Sequence, residues 1–188
     1  MTDDSPGGKT TALAALMEGR GLLVACDVRE RRVDLLRRTV AASGASNVRI
    51  VQADLLKPLP FASTFDCVLV DAPCSGLGTL RRDPDIRWRR REQDLPALAG
   101  AELTMLQHAA EQVAPGGRLV YATCSSEPEE NEGIADAFLA TTPGFTALHA
   151  GAATARLADT LIDRRGHLRT QPDRHGLEAF FGAVFEHR

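Results

Sequence analysis

The sequence predicts an α/β fold built on a mostly parallel sheet with helices on both faces. Three observations carry that expectation. Short apolar runs alternate with helical stretches along the chain. Three of the apolar runs lead into an aspartate, at Asp27, Asp54 and Asp71. A glycine-rich turn, Pro6-Gly7-Gly8, opens the first helical stretch, as it does where an open α/β sheet takes a ligand.

Taken in order, Thr10 to Met17 reads as a helix behind the glycine turn, and Leu22 to Asp27 as a buried strand. Arg29 to Ser43 is an amphipathic helix with Val33, Leu36 and Val40 at helical spacing, stopped near Gly44. "NVRIVQAD" and Asp66 to Val70 are further strands, and Gln93 to Val113 a long helix ended by the turn "PGG". "RLVYATC" is the next strand. A helix then begins in "SSEPEENEGIADAFLA", with Ser126 as N-cap and acids near its positive end. Gly166 to Thr170 and Ala179 to Glu186 close the chain as strands, the last of them antiparallel. A doubly wound sheet presents its glycine turn after a first strand. Only "MTDDS" precedes Pro6, so the first strand is expected to be missing from this chain.

The 188 residues read as one domain, 1–188, and suffice for a real core. No apolar run approaches the ~20 residues of a membrane span, and the start lacks the apolar core of a secretory leader. The four cysteines, Cys26, Cys67, Cys74 and Cys124, form no CxxC pair, and the histidines show no ligand spacing. No metal and no membrane are expected, and reduced thiols suit a cytoplasm. Net charge is −3, yet six arginines stand between Arg81 and Arg91 with Trp88 among them. Such a patch fits either a solvated loop or contact with a nucleic acid, and its place directly after "DAPCSGLG" favours the latter.

Two thiols stand out. Cys26 and Cys67 lie in or beside strands, where a thiol is usually a small buried apolar group. Cys74 and Cys124 instead lie just past strand ends, beside small polar residues, where the crevice of an open sheet forms. A thiolate there can attack an electrophilic carbon, helped by a cation such as Lys9. The glycine turn "PGGKT" suits an anion or carboxylate but is no P-loop, because Asp3 stands where that motif needs a glycine. An aspartate about 20 residues past such a turn, here Asp27, is placed to grip ribose hydroxyls.

The segments "PGGKTTALA", "CDVRERRVDLL", "VQAD", "DAPCSGLGTLRRDPDIRW", "YATCSSEPEENE" and "RTQPDRHGLEAFFGAVF" occur in the order seen in one family. The chain resembles RNA cytosine-5 methyltransferases of the Sun/Fmu (RsmB) group over nearly its whole length. The resemblance implies a Rossmann-like class I methyltransferase sheet, S-adenosylmethionine as cofactor, and RNA, small-subunit ribosomal RNA in particular, as partner. It implies that Cys124 is the nucleophile at carbon 6 of the cytosine and Cys74 the group that assists proton loss from carbon 5. Asp71 would bond the base edge and lie near the cofactor. Ser5, Pro6, Gly7, Gly8 and Lys9 would cradle the methionine part, Asp27 and Arg32 the ribose side, and Asp54 the adenine. Arg81, Arg82, Arg87, Trp88 and Arg90 would meet the RNA. The family loop usually reads Asp-x-Cys-Ala-Ala-Pro-Gly-Gly-Lys, whereas this chain has Asp4 and Ser5 at the two alanines. It is therefore expected to be a catalytic domain without its first strand and N-terminal RNA-binding region. Two other readings stay open: a binding-only relative, and an enzyme acting on transfer RNA or on DNA, in which last case Cys74 would attack.

Overall fold

The structure is a computed structural model and describes residues 7–153 and 158–188. The chain divides into two compact units, Met1–Pro60 and Phe61–Arg188.

In the first unit, helix α1 (Gly8–Leu16) is followed by β1 (Leu23–Asp27), α2 (Glu30–Ser43) and β2 (Val48–Gln52). The two strands pair in parallel, Leu23 opposite Val48 through Asp27 opposite Gln52, as a crossover through a helix permits. The expected spacing on α2 does its work. Val33, Leu36 and Val40 are buried, and Leu36 and Val40 cluster with Ala14 and Val48. Each buried aliphatic side chain of this kind contributes roughly 1.5–3 kcal/mol. Gly44 ends α2 in the left-handed conformation at φ 73°, which a glycine adopts without strain.

The second unit contains β3 (Phe65–Asp71), the short α3 (Ile86–Arg89), α4 (Leu95–Ala110), β4 (Val113–Thr123), α5 (Glu132–Thr141), β5 (Phe145–Leu148) and α6 (Ala150–Ala153). It ends with β6 (Leu168–Arg169), α7 (Pro172–His175) and β7 (Phe181–His187). Its sheet runs β3-β4-β7-β5, with β6 also on β7. β3 is parallel to β4, and β7 is antiparallel to β4, β5 and β6 alike. Four strands thus point one way and the last strand alone points back, as the sequence suggested. The core lies where β4 and β7 meet α4 and α5: Leu106, Leu119, Tyr121, Phe138, Phe181 and Phe185 are all buried.

Several expectations need correction. β3 is the outer strand of its sheet, so Cys67 and Leu69 are exposed rather than buried, and β1 is only half-buried along its length. The long helix stops at Ala110, and β4 begins before the "PGG" turn. The register jumps there, from Phe65 opposite Val113 to Cys67 opposite Arg118, so the turn is looped out of the strand. Helix α5 starts at Glu132 with Asn131 as its N-cap residue, not behind Ser126, which is exposed. The reason is local. Ser125 Oγ accepts the Glu127 N–H at 3.0 Å in a tight turn, and Glu130 and Asn131 turn their side chains inward instead of continuing a helix.

Candidate active site

β3 and β4 are parallel neighbours, with Asp71 opposite Ala122, so the chain leaves both strands at the same end. Ala72 N–H donates to Ala122 O at 2.9 Å and carries the pairing one step further. Cys74 and Cys124 then meet: their sulfurs are 3.2 Å apart, and the Cys124 N–H donates to Cys74 Sγ at 3.3 Å. Cys74 is 8% exposed, whereas Cys124 is half-buried and so the more accessible thiol. The Cys124 sulfur beside Cys74, and then burial, push the Cys74 thiol up from its ordinary range. Cys74 therefore keeps its proton and can donate it toward the Cys124 sulfur.

A buried polar group lies behind the two thiols. The Glu130 carboxylate accepts the Ser75 N–H at 2.7 Å and the Ser75 hydroxyl at 2.5 Å, and it also accepts the Ser125 hydroxyl. Asn131 accepts Thr123 Oγ1 at 2.6 Å and donates to Ser125 O at 3.0 Å, which fixes the residues on either side of Cys124. Tyr121 Oη lies 2.7 Å from Glu130 O and 3.1 Å from Glu102 Oε2. Burial, and then the negative charge of Glu130, raise the Glu102 carboxyl to about 8. At neutral pH Glu102 is therefore a neutral acid that can donate to Tyr121, leaving the phenol proton for Glu130 O. None of Glu130, Asn131, Ser75, Ser125, Glu102 and Tyr121 was singled out from sequence. The acids of "EPEENE" read there as complements to a helix dipole. The signal that separates Glu130 from its neighbours is its complete burial, which only the fold supplies.

The loop after Cys74 is held from two further directions. Gly78 N–H donates to Cys124 O and Gly78 O accepts from Ala179 N–H, both at 3.0 Å. Arg90 Nε donates to Ser75 O at 3.1 Å, and its Nη2 reaches Cys74 O at 3.5 Å. Arg90, assigned from sequence to RNA contact, is exposed, and its guanidinium also spends donors on the carbonyls of the cysteine loop. Around it, Arg81, Arg82, Arg87, Trp88 and Arg91 are exposed, Trp88 at 81%. Arg81 reaches Gly176 O at 3.5 Å, Arg82 lies 3.6 Å from Glu178, and Arg89 is paired to Asp83 at 2.5 Å. Asp71 is exposed at the end of β3.

In the first unit, Gly7 has φ 112°, and a side chain there would press on Thr39 Cγ2 at 2.9 Å. Only glycine fits. Among the described residues, a Cβ on Gly8, at the start of α1, would meet nothing within 4 Å. Lys9 is exposed in the first turn of that helix. Asp27 accepts the N–H of Arg29, the residue just before α2, at 2.8 Å and holds Arg32 Nε at 2.8 Å. The sequence named Asp27 and Arg32 separately; the fold makes them an ion pair, each carboxylate oxygen retaining a free lone pair direction. Asp54 accepts the Leu56 N–H at 3.0 Å and lies 3.7 Å from Lys57 Nζ. Ser5 and Pro6 lie outside the described residues.

Among the described residues no group of three or more His, Cys, Asp or Glu side chains could hold a metal ion. No helix among them is long and apolar enough to cross a membrane.

Residues 4–186 match the family described as 16S rRNA methyltransferase RsmB/F. A probable ribosomal RNA small subunit methyltransferase B of Synechocystis sp. is 40% identical over 137 residues, which is 72% of this chain and 31% of that protein. The ribosomal RNA small subunit methyltransferase F of Serratia proteamaculans is 32% identical over 180 residues, 95% of this chain and 38% of its own length. The chain thus spans about a third of these curated relatives. Among solved structures, NSun6 from Pyrococcus horikoshii with SFG superposes at a TM-score of 0.84 with 28% identity, covering 97% of this chain and 46% of that one. A methyltransferase homolog protein from the same organism gives 0.79 with 31% identity, covering 98% and 59%. With its two cysteine loops joined at parallel strand ends and nearly every residue inside the match, the chain belongs to the RsmB/F family of 16S rRNA methyltransferases.

Proposed function

We infer that this chain is the catalytic domain of a cytoplasmic, S-adenosylmethionine-dependent RNA cytosine-5 methyltransferase acting on small-subunit ribosomal RNA. The observation that carries the reading is the 3.2 Å approach of Cys74 Sγ to Cys124 Sγ, with unequal exposure. A reaction that must add a nucleophile and later remove a proton needs two groups at one carbon–carbon bond, and two thiols in contact supply them.

The residues present fit the cofactor: no described residue crowds the side-chain direction of Gly8, and Asp27 is oriented by Arg32 with acceptor capacity to spare. S-adenosylmethionine, when bound, supplies the methyl group. Ser5, Pro6, Gly7, Gly8 and Lys9 are assigned to its methionine part, Asp27 and Arg32 to its ribose, Asp54 to its adenine. Asp71 is assigned to the base edge, where a hydrogen bond draws electron density from the ring as carbon 6 is attacked. An electron pair of the Cys124 thiolate forms the bond to carbon 6 as the carbon 5–carbon 6 π pair moves onto carbon 5. That carbon would take the methyl group that the cofactor supplies and so carry both that group and its original hydrogen. While the Cys124 sulfur is anionic it holds the proton on Cys74, because it is the largest cause of the raised Cys74 affinity. Once Cys124 is a thioether this largest cause is gone, and only the lesser effect of burial still raises the Cys74 thiol. Cys74 then gives up its proton to solvent and, as a thiolate, takes the proton from carbon 5. The electrons of that C–H bond re-form the ring double bond and expel Cys124.

The test is adduct trapping on a denaturing gel with target RNA and S-adenosylmethionine. Cys74→Ala accumulates a covalent RNA–protein species, and Cys124→Ala forms none and transfers no methyl group. An adduct that persists in Cys124→Ala and vanishes in Cys74→Ala would reverse the assignment, as in an enzyme that attacks through the Pro-Cys motif.

The exposed arginines and Trp88 are assigned to the RNA strand. Trp88→Ala is expected to weaken RNA binding by about 1–3 kcal/mol, the worth of one stacked base. Thermal stability should not change, since the ring is 81% exposed. Filter binding and a melting curve measure the two; unchanged affinity would remove Trp88 from the interface.

A further inference from the structure

Glu130 is fully buried, and the donors described at its carboxylate come from the two cysteine loops. Ser75 directly follows Cys74, and Ser125 directly follows Cys124. Both serines are 2% exposed, and their hydroxyl oxygens are 3.2 Å apart on the same carboxylate oxygen. Each hydroxyl has one proton and aims it at Glu130, so each is left with lone pairs for a backbone donor. Ser75 Oγ accepts the Leu77 N–H at 3.3 Å and Ser125 Oγ the Glu127 N–H at 3.0 Å. One carboxylate thereby fixes two hydroxyl rotors and the turn that follows each cysteine.

A buried carboxylate is costly, and an apolar side chain of similar size would hold two loops together as a matter of packing alone. What a carboxylate adds is direction. Its acceptor sites accept a rigid N–H from one loop and a hydroxyl from each, which locks the loops in register with each other. Glu130 is itself anchored: its carbonyl accepts Tyr121 Oη, and the adjacent Asn131 grips Thr123 and Ser125 around Cys124.

We propose that Glu130 is the positioning residue of the thiol pair: by binding Ser75 and Ser125 together it sets the Cys74–Cys124 approach. Its consequence for turnover rests on the reaction inferred above; the geometric part does not. With the register loosened, Cys74 no longer lies at carbon 5 when Cys124 is on carbon 6. A misplacement of about 1 Å costs on the order of 100-fold in rate. The loss falls on kcat, because Glu130 is buried behind the thiols and touches neither cofactor nor RNA in this assignment.

Two measurements on the full chain separate the parts. The first is the rate at which diamide closes a Cys74–Cys124 disulfide, followed by peptide mass mapping. Each thiol loses its proton and one electron, and the diazene takes both pairs to become a hydrazine. Glu130→Gln keeps shape and volume but sets an NH₂ against two hydroxyl donors. It is expected to slow closure about tenfold or more, a distance-sensitive loss of effective concentration. The second is steady-state methylation, in which Glu130→Gln lowers kcat with little change in KM. Should Glu130→Gln fail to fold, Ser125→Ala removes one grip without disturbing the Ser75 pair, and the same slowing, smaller in size, is expected. Wild-type closure rates in folded Glu130→Gln and Ser125→Ala would overturn the proposal. Slowed closure in a chain that transfers no methyl group even as wild type would keep the positioning role and sink the reaction.

Discussion

Gly78→Ala is expected to unfold the site and to lower the melting temperature of the chain sharply. A Cβ at this position would stand 2.1 Å from Ala179 O and 2.7 Å from Cys124 O. Both neighbours are backbone, so neither can rotate away. The substitution forces apart two hydrogen bonds, Gly78 N–H to Cys124 O and Ala179 N–H to Gly78 O. Overpacking of this kind costs about 1–3 kcal/mol, and each buried backbone bond left open roughly 1–3 kcal/mol more. A loss of several kcal/mol, read by denaturant unfolding, comes with loss of adduct formation because the Cys124 carbonyl is one of the groups displaced. Wild-type stability in Gly78→Ala would mean that the loop does not hold Cys124 in this way.

The second large effect is a pH dependence. Glu102 is fully buried with its carboxyl raised to about 8, against an ordinary value of 4.5 in the unfolded chain. Below 4.5 both states carry the proton, and this group adds no slope. Between 4.5 and 8 the native state binds more protons than the unfolded state, so stability falls as pH rises through that window. Above about 8 both states are ionised and the slope ends. The integrated loss is on the order of a few kcal/mol. Glu102→Gln removes the titration while keeping a donor for Tyr121. It is expected to be more stable than the parent at pH 8, with the difference shrinking toward pH 5. Melting curves across that range check it, and parallel curves for the two proteins would refute it.

Much of this molecule is readable without coordinates. The spacing of Val33, Leu36 and Val40 gave α2, and the apolar runs before Asp27 and Asp71 gave β1 and β3, because helix and strand periodicities leave different marks on a chain. β5 left no such mark. Four residues, Phe145–Leu148, are too few for a period, and the strand exists only because β7 offers an edge to it. The start of α5 was misjudged because capping rules treat a helix end as a local matter. Here Glu130 and Asn131 find partners across the fold in Ser75 and Thr123, which outweigh the local preference. That Arg90 also holds the carbonyls of the cysteine loop is invisible in composition, which gives an arginine's charge and not the partners its donors reach.

The sequence by itself determined the order of the longer helices and strands, the glycine turn, the acids at strand ends and the two cysteines beyond them. These are features of local pattern, set by backbone freedom and by the alternation of apolar and polar side chains. Which groups meet was decided by the tertiary structure. The parallel pairing of β3 with β4 brings Cys74 to Cys124 across fifty positions of chain. The same pairing surrounds Glu130 with serines from both loops and turns Glu102 into a neutral acid. Hydrogen bonding and burial depend on distance in space, and a chain fixes that distance only when it folds.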